Sequence, residues 1–392
     1  MLIGVDGGCW ANDRGYGRHA RELLTEMVRS APDDQFVFFL DSASAARFAL
    51  SGGNVRTVLV PQSRPPTEAA AANGSRSPRD MLRFTRAVLR ARPDVFFCPS
   101  VYTYFPLPPG QKAVVGIHDA IAERFASRTL PSLRARLFWN AKVRLAVLQS
   151  TLVLSVSDFA ADDVSRVIGV PRARIRVAAE AAAASFRPSE SPAAIRSAAA
   201  GIGLSADARW FIYVGGFSPH KNLDVLVRAF ARTVERPAVD EVCLVLVGKV
   251  SGDPFLTGVE EVRAEIAARG IESRVLWPGY VPDEVLRHLL SGALALVLPS
   301  DCEGFGLPAV EAAACGTAVI ATTESPLPSL LEGGGIFVAP RDESSLNSAM
   351  SALLADEPAR AAMAATALRR AQLLSWRRCA EETLQTIREA AA

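Results

Sequence analysis

Short runs of Val, Ile, Leu and Phe, bounded by Gly, Pro, Asp or Ser, alternate along the chain with stretches in which apolar residues recur every three or four positions. The runs fit buried strands and the periodic stretches fit amphipathic helices, so their alternation predicts parallel sheets with crossover helices, an α/β class. Strands are expected at Leu2–Asp6, Phe36–Leu40, Val55–Val60, Asp94–Cys98, Ala113–Ile117 and Leu152–Val156. A second set is expected at Trp210–Val214, Val242–Val247, Arg274–Trp277, Leu294–Leu298, Ala318–Ala321 and Ile336–Val338. Leu223, Leu226, Phe230 and Val234 mark one helix face, and further helices are expected near 358–374 and 376–389. The pattern weakens across Arg172–Asp207, which reads as a linker between domains at 1–187 and 205–374. Gln62–Asp80 has no periodicity and reads as a mobile loop. Two doubly wound sheets result, with a ligand cleft expected at the carboxyl ends of their strands.

Composition narrows this picture little. With 49% hydrophobic and 21% charged residues in 392, the chain can bury two ordinary cores and is not a disordered protein. A formal net charge of +2 gives no global attraction to nucleic acid. The six cysteines, Cys9, Cys98, Cys243, Cys302, Cys315 and Cys379, have no metal-ligand spacing and read as core residues of a reducing cytoplasm. Neither a signal peptide nor a spanning segment is expected.

The most informative stretch is Leu296–Ala321, LVLPSDCEGFGLPAVEAAACGTAVIA, which reads as strand, glycine turn, helix, glycine stop and strand. Gly304 and Gly306 let the main chain approach a ligand, and Pro308 suits a first helical turn. Amides around Phe305, Gly306 and Leu307 would then face the ligand at the positive end of a helix, a setting that favours phosphate. Glu303 and Glu311, eight positions apart, can reach the same pocket. Glu311 alone would also fit a dipole role; the whole string EGFGLPAVE is harder to explain as packing.

That string resembles retaining glycosyltransferase family 4, of the GT-B fold, whose motif PS-x-x-EGFGLPxxEA is matched by Pro299, Ser300, Glu303 to Pro308, Glu311 and Ala312. The resemblance implies two Rossmann-like domains around a cleft, the first taking the acceptor and the second the nucleotide sugar, with a helix near 375–392 crossing back to the first. Tyr213–Phe230, YVGGFSPHKNLDVLVRAF, is similar to the family's first strand, loop and helix, which makes Lys221 a diphosphate ligand; an exposed lysine at a helix start is the other reading. The family's Arg five positions earlier is replaced by Gly216. Gly248 after Val247, with Tyr280 and Val281 after Gly279, corresponds to strand ends that cradle the nucleobase, although packing alone could also account for them.

In the first half, Gly15 and Gly17 correspond to the family's glycine loop, and Ile117-His118-Asp119 to its HD over the transferred sugar; His118 could instead be bonded in a turn. Ser155–Phe159 resembles a family helix start, and Ser157 or Asp158 fits a plain helix cap equally well. A dehydrogenase is excluded by the missing GxGxxG and by Ala20. With no D-x-D string, the resemblance implies metal-independent transfer, no cofactor beyond the donor substrate, and retention by same-face attack. Glu303 would hold sugar hydroxyls, Glu311 the ribose, Lys221 the phosphates, and His118 the sugar near its reacting carbon. The PxKN loop favours GDP-mannose over a UDP-sugar, with a saccharide or lipid-linked acceptor. A relic binding scaffold, or an epimerase or phosphorylase on the same fold, is the alternative. Arg79, Arg83, Arg86 and Arg90 form one basic helix face, either solvated or docking on an anionic membrane at its cytoplasmic side.

Overall fold

The computed structural model describes residues 1–64, 77–130, 132–235, 241–250 and 257–392. Most of the segment read as a mobile loop, 65–76, lies outside them. Two compact units emerge, Met1–Glu180 with Ser375–Ala392, and Ala181–Leu374.

The first unit carries a seven-stranded sheet, every ladder parallel. Its strands are β1 (Leu2–Asp6), β2 (Gln35–Leu40), β3 (Val55–Leu59), β4 (Val95–Cys98), β5 (Ala113–Gly116), β6 (Leu152–Ser155) and β7 (Ile175–Val177), in the order β3-β2-β1-β4-β5-β6-β7. Central strands are apolar on both faces because helices cover both. On one face, Phe84 and Val88 of α2 (Pro78–Ala91) and Val143 and Ala146 of α3 (Leu133–Gln149) join Phe39, Phe96, Val115 and Val153 in one core. The helix α1 (Gly15–Ser30) packs along a C-terminal helix, Trp376–Ala391, whose Cys379, Leu384 and Ile387 are fully buried.

The second unit has six parallel strands: β8 (Arg209–Val214), β9 (Val242–Val247), β10 (Val275–Gly279), β11 (Ala295–Leu298), β12 (Val319–Thr322) and β13 (Gly335–Val338), ordered β10-β9-β8-β11-β12-β13. Here Leu223–Val234 is a helix with the expected apolar face buried. Among the described residues no helix is long and apolar enough to cross a membrane.

The change of unit, between Glu180 and Ala181, falls inside the expected junction Arg172–Asp207, but that stretch carries regular structure of its own. Ile175–Val177 forms the edge strand β7, paired to β6, and Pro192–Gly201 is a helix capped by Ser191, whose hydroxyl accepts from Ala194 N at 3.2 Å. The strand was hidden by its length and its flanking arginines. Pro192 does not break this helix but stands in its first turn, where proline is tolerated.

Candidate functional site

In the second unit the strand order reverses between β8 and β11, which opens a crevice beyond their carboxyl ends. The loop after β8 ends in Lys221 and the loop after β11 holds Glu303. Though 82 positions apart, they meet, with Lys221 Nζ 2.6 Å from Glu303 Oε1 and the two side chains 18% and 10% exposed. The Ser300 hydroxyl donates to the same oxygen. Beneath the pair, Asn222 takes a left-handed φ of 52°, which asparagine tolerates better than most residues. Its buried amide donates to Pro299 O at 3.1 Å and Asp301 Oδ1 at 2.9 Å, tying the two loops together. Asp301 also receives two guanidinium bonds from Arg341, at 2.9 and 3.1 Å.

The loop after β11 ends at Gly306, where φ is 84° and a Cβ would lie 2.7 Å from Leu327. Both facts demand glycine. From there the helix Leu307–Ala314 starts with Pro308 in its first turn, so its positive end opens on the loop of Glu303. Gly304, Phe305, Leu307 and Glu311 are buried around that start, Glu311 at 4% exposure. Across the sheet a Cβ on Gly248 would stand 2.0 Å from Gly215 O, and the Gly248 N–H donates to Gly279 O at 3.0 Å. The ends of β8, β9 and β10 are thus stitched together, with the ring of Tyr280 exposed and Val281 buried just beyond.

The first unit's sheet reverses between β1 and β4. Gly15 opens α1, and Gly17 lies so near the preceding loop that a Cβ would be 2.1 Å from Asn12 O. His118, half-buried after β5, keeps its Nε2 2.8 Å from Pro99 O. Behind it stands His19 of α1, ring centres 4.3 Å apart, with the Trp376 ring edge-on at 5.7 Å. Glu180 closes the group, its Oε1 2.8 Å from His19 Nδ1 but off the line of a hydrogen bond. Burial lowers His19 to about 3 and His118 to about 4, with His19 adding to the second shift. Glu180 is pushed up to about 7 by burial, opposed by His118. These three residues offer donor atoms within 4.8 Å of one another, the one such trio among the described residues with a metal-ligand donor set.

Two family models match the chain, "Glycosyltransferase Family 4" over residues 14–179 and "Glycosyl transferases group 1" over 197–370. The chain belongs to glycosyltransferase family 4. It is 28% identical over 275 residues to O-antigen chain mannosyltransferase B of Escherichia coli, covering 70% of this chain and 69% of that one. It is 34% identical over 210 residues to a D-inositol 3-phosphate glycosyltransferase of Frankia alni, covering 52% and 50%; the chain thus spans about half the length of that relative. Its fold is that of sucrose-phosphate synthase from Thermosynechococcus elongatus, with a TM-score of 0.76 at 20% identity over 99% and 98% of the two chains. The GT-B architecture, two parallel-sheet Rossmann-like domains, follows.

Within this family 4 chain, the second unit gathers Lys221, Glu303 and the helix start beside Glu311 beyond the carboxyl ends of β8 and β11, while Gly248, Tyr280 and Val281 stand at neighbouring strand ends. The first unit holds Gly15, Gly17 and His118. Sequence reasoning missed His19 and Glu180. A histidine in an amphipathic helix looks like a surface residue, but its position four residues before Leu23, which is fully buried, put it on the inward face. Glu180 stands in a run of alanines, where a lone carboxylate among apolar residues is itself a signal of a buried partner.

Proposed function

We propose that this glycosyltransferase moves a hexose from a nucleotide diphosphate sugar to a saccharide or lipid-linked acceptor, with retention and without a metal ion, in the cytoplasm. The observation that carries the reading is the Lys221–Glu303 pair beside a helix N-terminus, which sets a cation, a carboxylate and main-chain amides at one switch point. A pyrophosphate would draw Lys221 and the helix start, releasing Glu303 to accept bonds from sugar hydroxyls while Glu311 takes the ribose. The bond from the anomeric carbon to the phosphate oxygen then breaks, and the acceptor hydroxyl bonds to that carbon on the same face. Its proton passes to a donor phosphate oxygen. His118, by family resemblance, holds the sugar near the reacting carbon. Burial keeps its ring neutral, so at pH 7 it serves as a hydrogen-bonding group and brings no charge. For the cation missing at Gly216 we assign Lys249, exposed one residue past Gly248 on the strand end next to Gly215.

GDP-mannose is preferred to a UDP-sugar, on the PxKN loop and on the likeness to a mannosyltransferase. Titration calorimetry with GDP, UDP and ADP, with and without EDTA, tests this. One nucleotide should bind equally in EDTA, and Lys221→Ala and Glu311→Ala should each weaken it about 10- to 100-fold. Binding that vanishes in EDTA would overturn the metal-free reading, and no binding at all would favour a relic scaffold.

A further inference from the structure

Helix α3 is apolar on two opposite sides. Val143 and Ala146 enter the core, with Trp139, Leu145 and Val147 packed partly against it. The outward stripe at three- and four-residue steps reads Leu133, Leu137, Ala141, Arg144 and Leu148, with Phe138 beside Leu137. Leu133 is 76% exposed, Leu137 71%, Phe138 56% and Leu148 80%. An exposed apolar patch of this kind marks a binding surface. From Leu133 to Leu148 it runs about 22 Å, at 1.5 Å per residue.

Its charge selects the occupant. The helix carries Arg134, Arg136, Lys142 and Arg144 and no acidic residue. On the same side of the sheet, α2 exposes Leu82 and Leu89 among Arg79, Arg83, Arg86 and Arg90; its one acid, Asp80, is buried and bonded to Ser63 and Arg83. Six of the nine large apolar side chains exposed among the described residues therefore sit on these two basic helices. Two copies of the chain meeting through this face would set arginine against arginine, so the charge disfavours self-association. Apolar side chains interleaved with cations and without anions match an anionic lipid surface, where the leucines enter the acyl boundary and the arginines meet headgroup phosphates.

We propose that the face formed by α3 and α2 docks the first unit on anionic membranes, with Leu133, Leu137, Phe138 and Leu148 as the inserting wedge. The arginine face of α2, for which the sequence left a solvated and a membrane-docking reading open, is the electrostatic flank of this surface. Docking does not depend on the transfer reaction.

Flotation of the full chain with vesicles of phosphatidylcholine alone, and with about one third phosphatidylglycerol, tests this. The chain should float only with the anionic vesicles, and less as salt is raised. The double substitution Leu137→Ser, Phe138→Ser should reduce binding at least tenfold, and so should Arg134→Glu with Arg144→Glu. All four positions are surface sites, so thermal melting should stay unchanged, and Arg263→Glu in the second unit should float like the parent. Equal flotation with both vesicle types, or none with either, would overturn the proposal. So would a concentration-dependent dimer that Leu137→Ser, Phe138→Ser abolishes in the absence of vesicle binding, which would make this face a protein interface.

Discussion

Each unit buries a carboxylate at the carboxyl end of its sheet, and the two are managed in opposite ways. Glu303 meets a compact ammonium at 2.6 Å and a serine hydroxyl, within reach of solvent. Glu180 meets two imidazoles that burial keeps neutral, and is itself pushed up to about 7. A carboxylate paired with a lysine can be exchanged for a ligand, phosphate going to the lysine and hydroxyls to the carboxylate. One paired with neutral rings holds its proton through the acid range and loses it near neutrality. The first arrangement suits binding, and the second suits holding His19 and His118 in place.

The sharpest way to break this contrast is Glu303→Gln, which keeps the shape and removes the charge. Transfer should fall about 100- to 1,000-fold in kcat/KM, or roughly 3–4 kcal/mol, while the melting temperature barely moves. An unchanged rate would remove Glu303 from the chemistry.

Next comes Glu180→Gln, read as stability against pH. Because the folded carboxyl is raised from its ordinary 4.5 to about 7, its contribution is fully present at low pH and is lost as pH rises through that window. His19 and His118 act in the opposite sense, with folded values below the ordinary 6.5, so they destabilise on acidification. The substitution removes the first effect and, with it, the charge of Glu180 that opposes the lowering of His118. The variant should therefore gain on the parent by about 1–3 kcal/mol between pH 5 and pH 8 in urea melts. A pH-independent difference would show that Glu180 does not titrate across that range.

The smallest effect is expected of Lys221→Arg. The planar guanidinium keeps the charge and loses the compact fit, so nucleotide affinity should drop about fivefold, near 1 kcal/mol. Full affinity in calorimetry would mean that charge alone matters at that position.

Much of the fold could be read from the chain because the central strands are buried on both faces, which leaves unbroken apolar runs. Every observed strand but one lies within a residue or two of its expected bounds. The exception, Ile175–Val177, is three residues at an edge among Arg172, Arg174 and Arg176, too short to show an alternation. The β11 loop was legible because Gly306 and Pro308 are local requirements of the turn. By contrast, the approach of His19 to Glu180 is set by tertiary packing across 161 positions, which no local pattern encodes. The wedge on α3 was hidden for another reason: with both faces apolar, its periodicity cancels, and only packing tells the covered side from the open one.

The first unit is made of two separate pieces of chain, 1–180 and 375–392. During synthesis its sheet leaves the ribosome first, yet the helix that covers α1 arrives only after residues 181–374, roughly 10–40 s later. For that interval Leu23, Leu24 and Met27, buried in the finished structure, wait without the helix that packs against theirs. The nascent chain therefore carries an exposed greasy surface on a half-built domain, a natural client for a ribosome-associated chaperone.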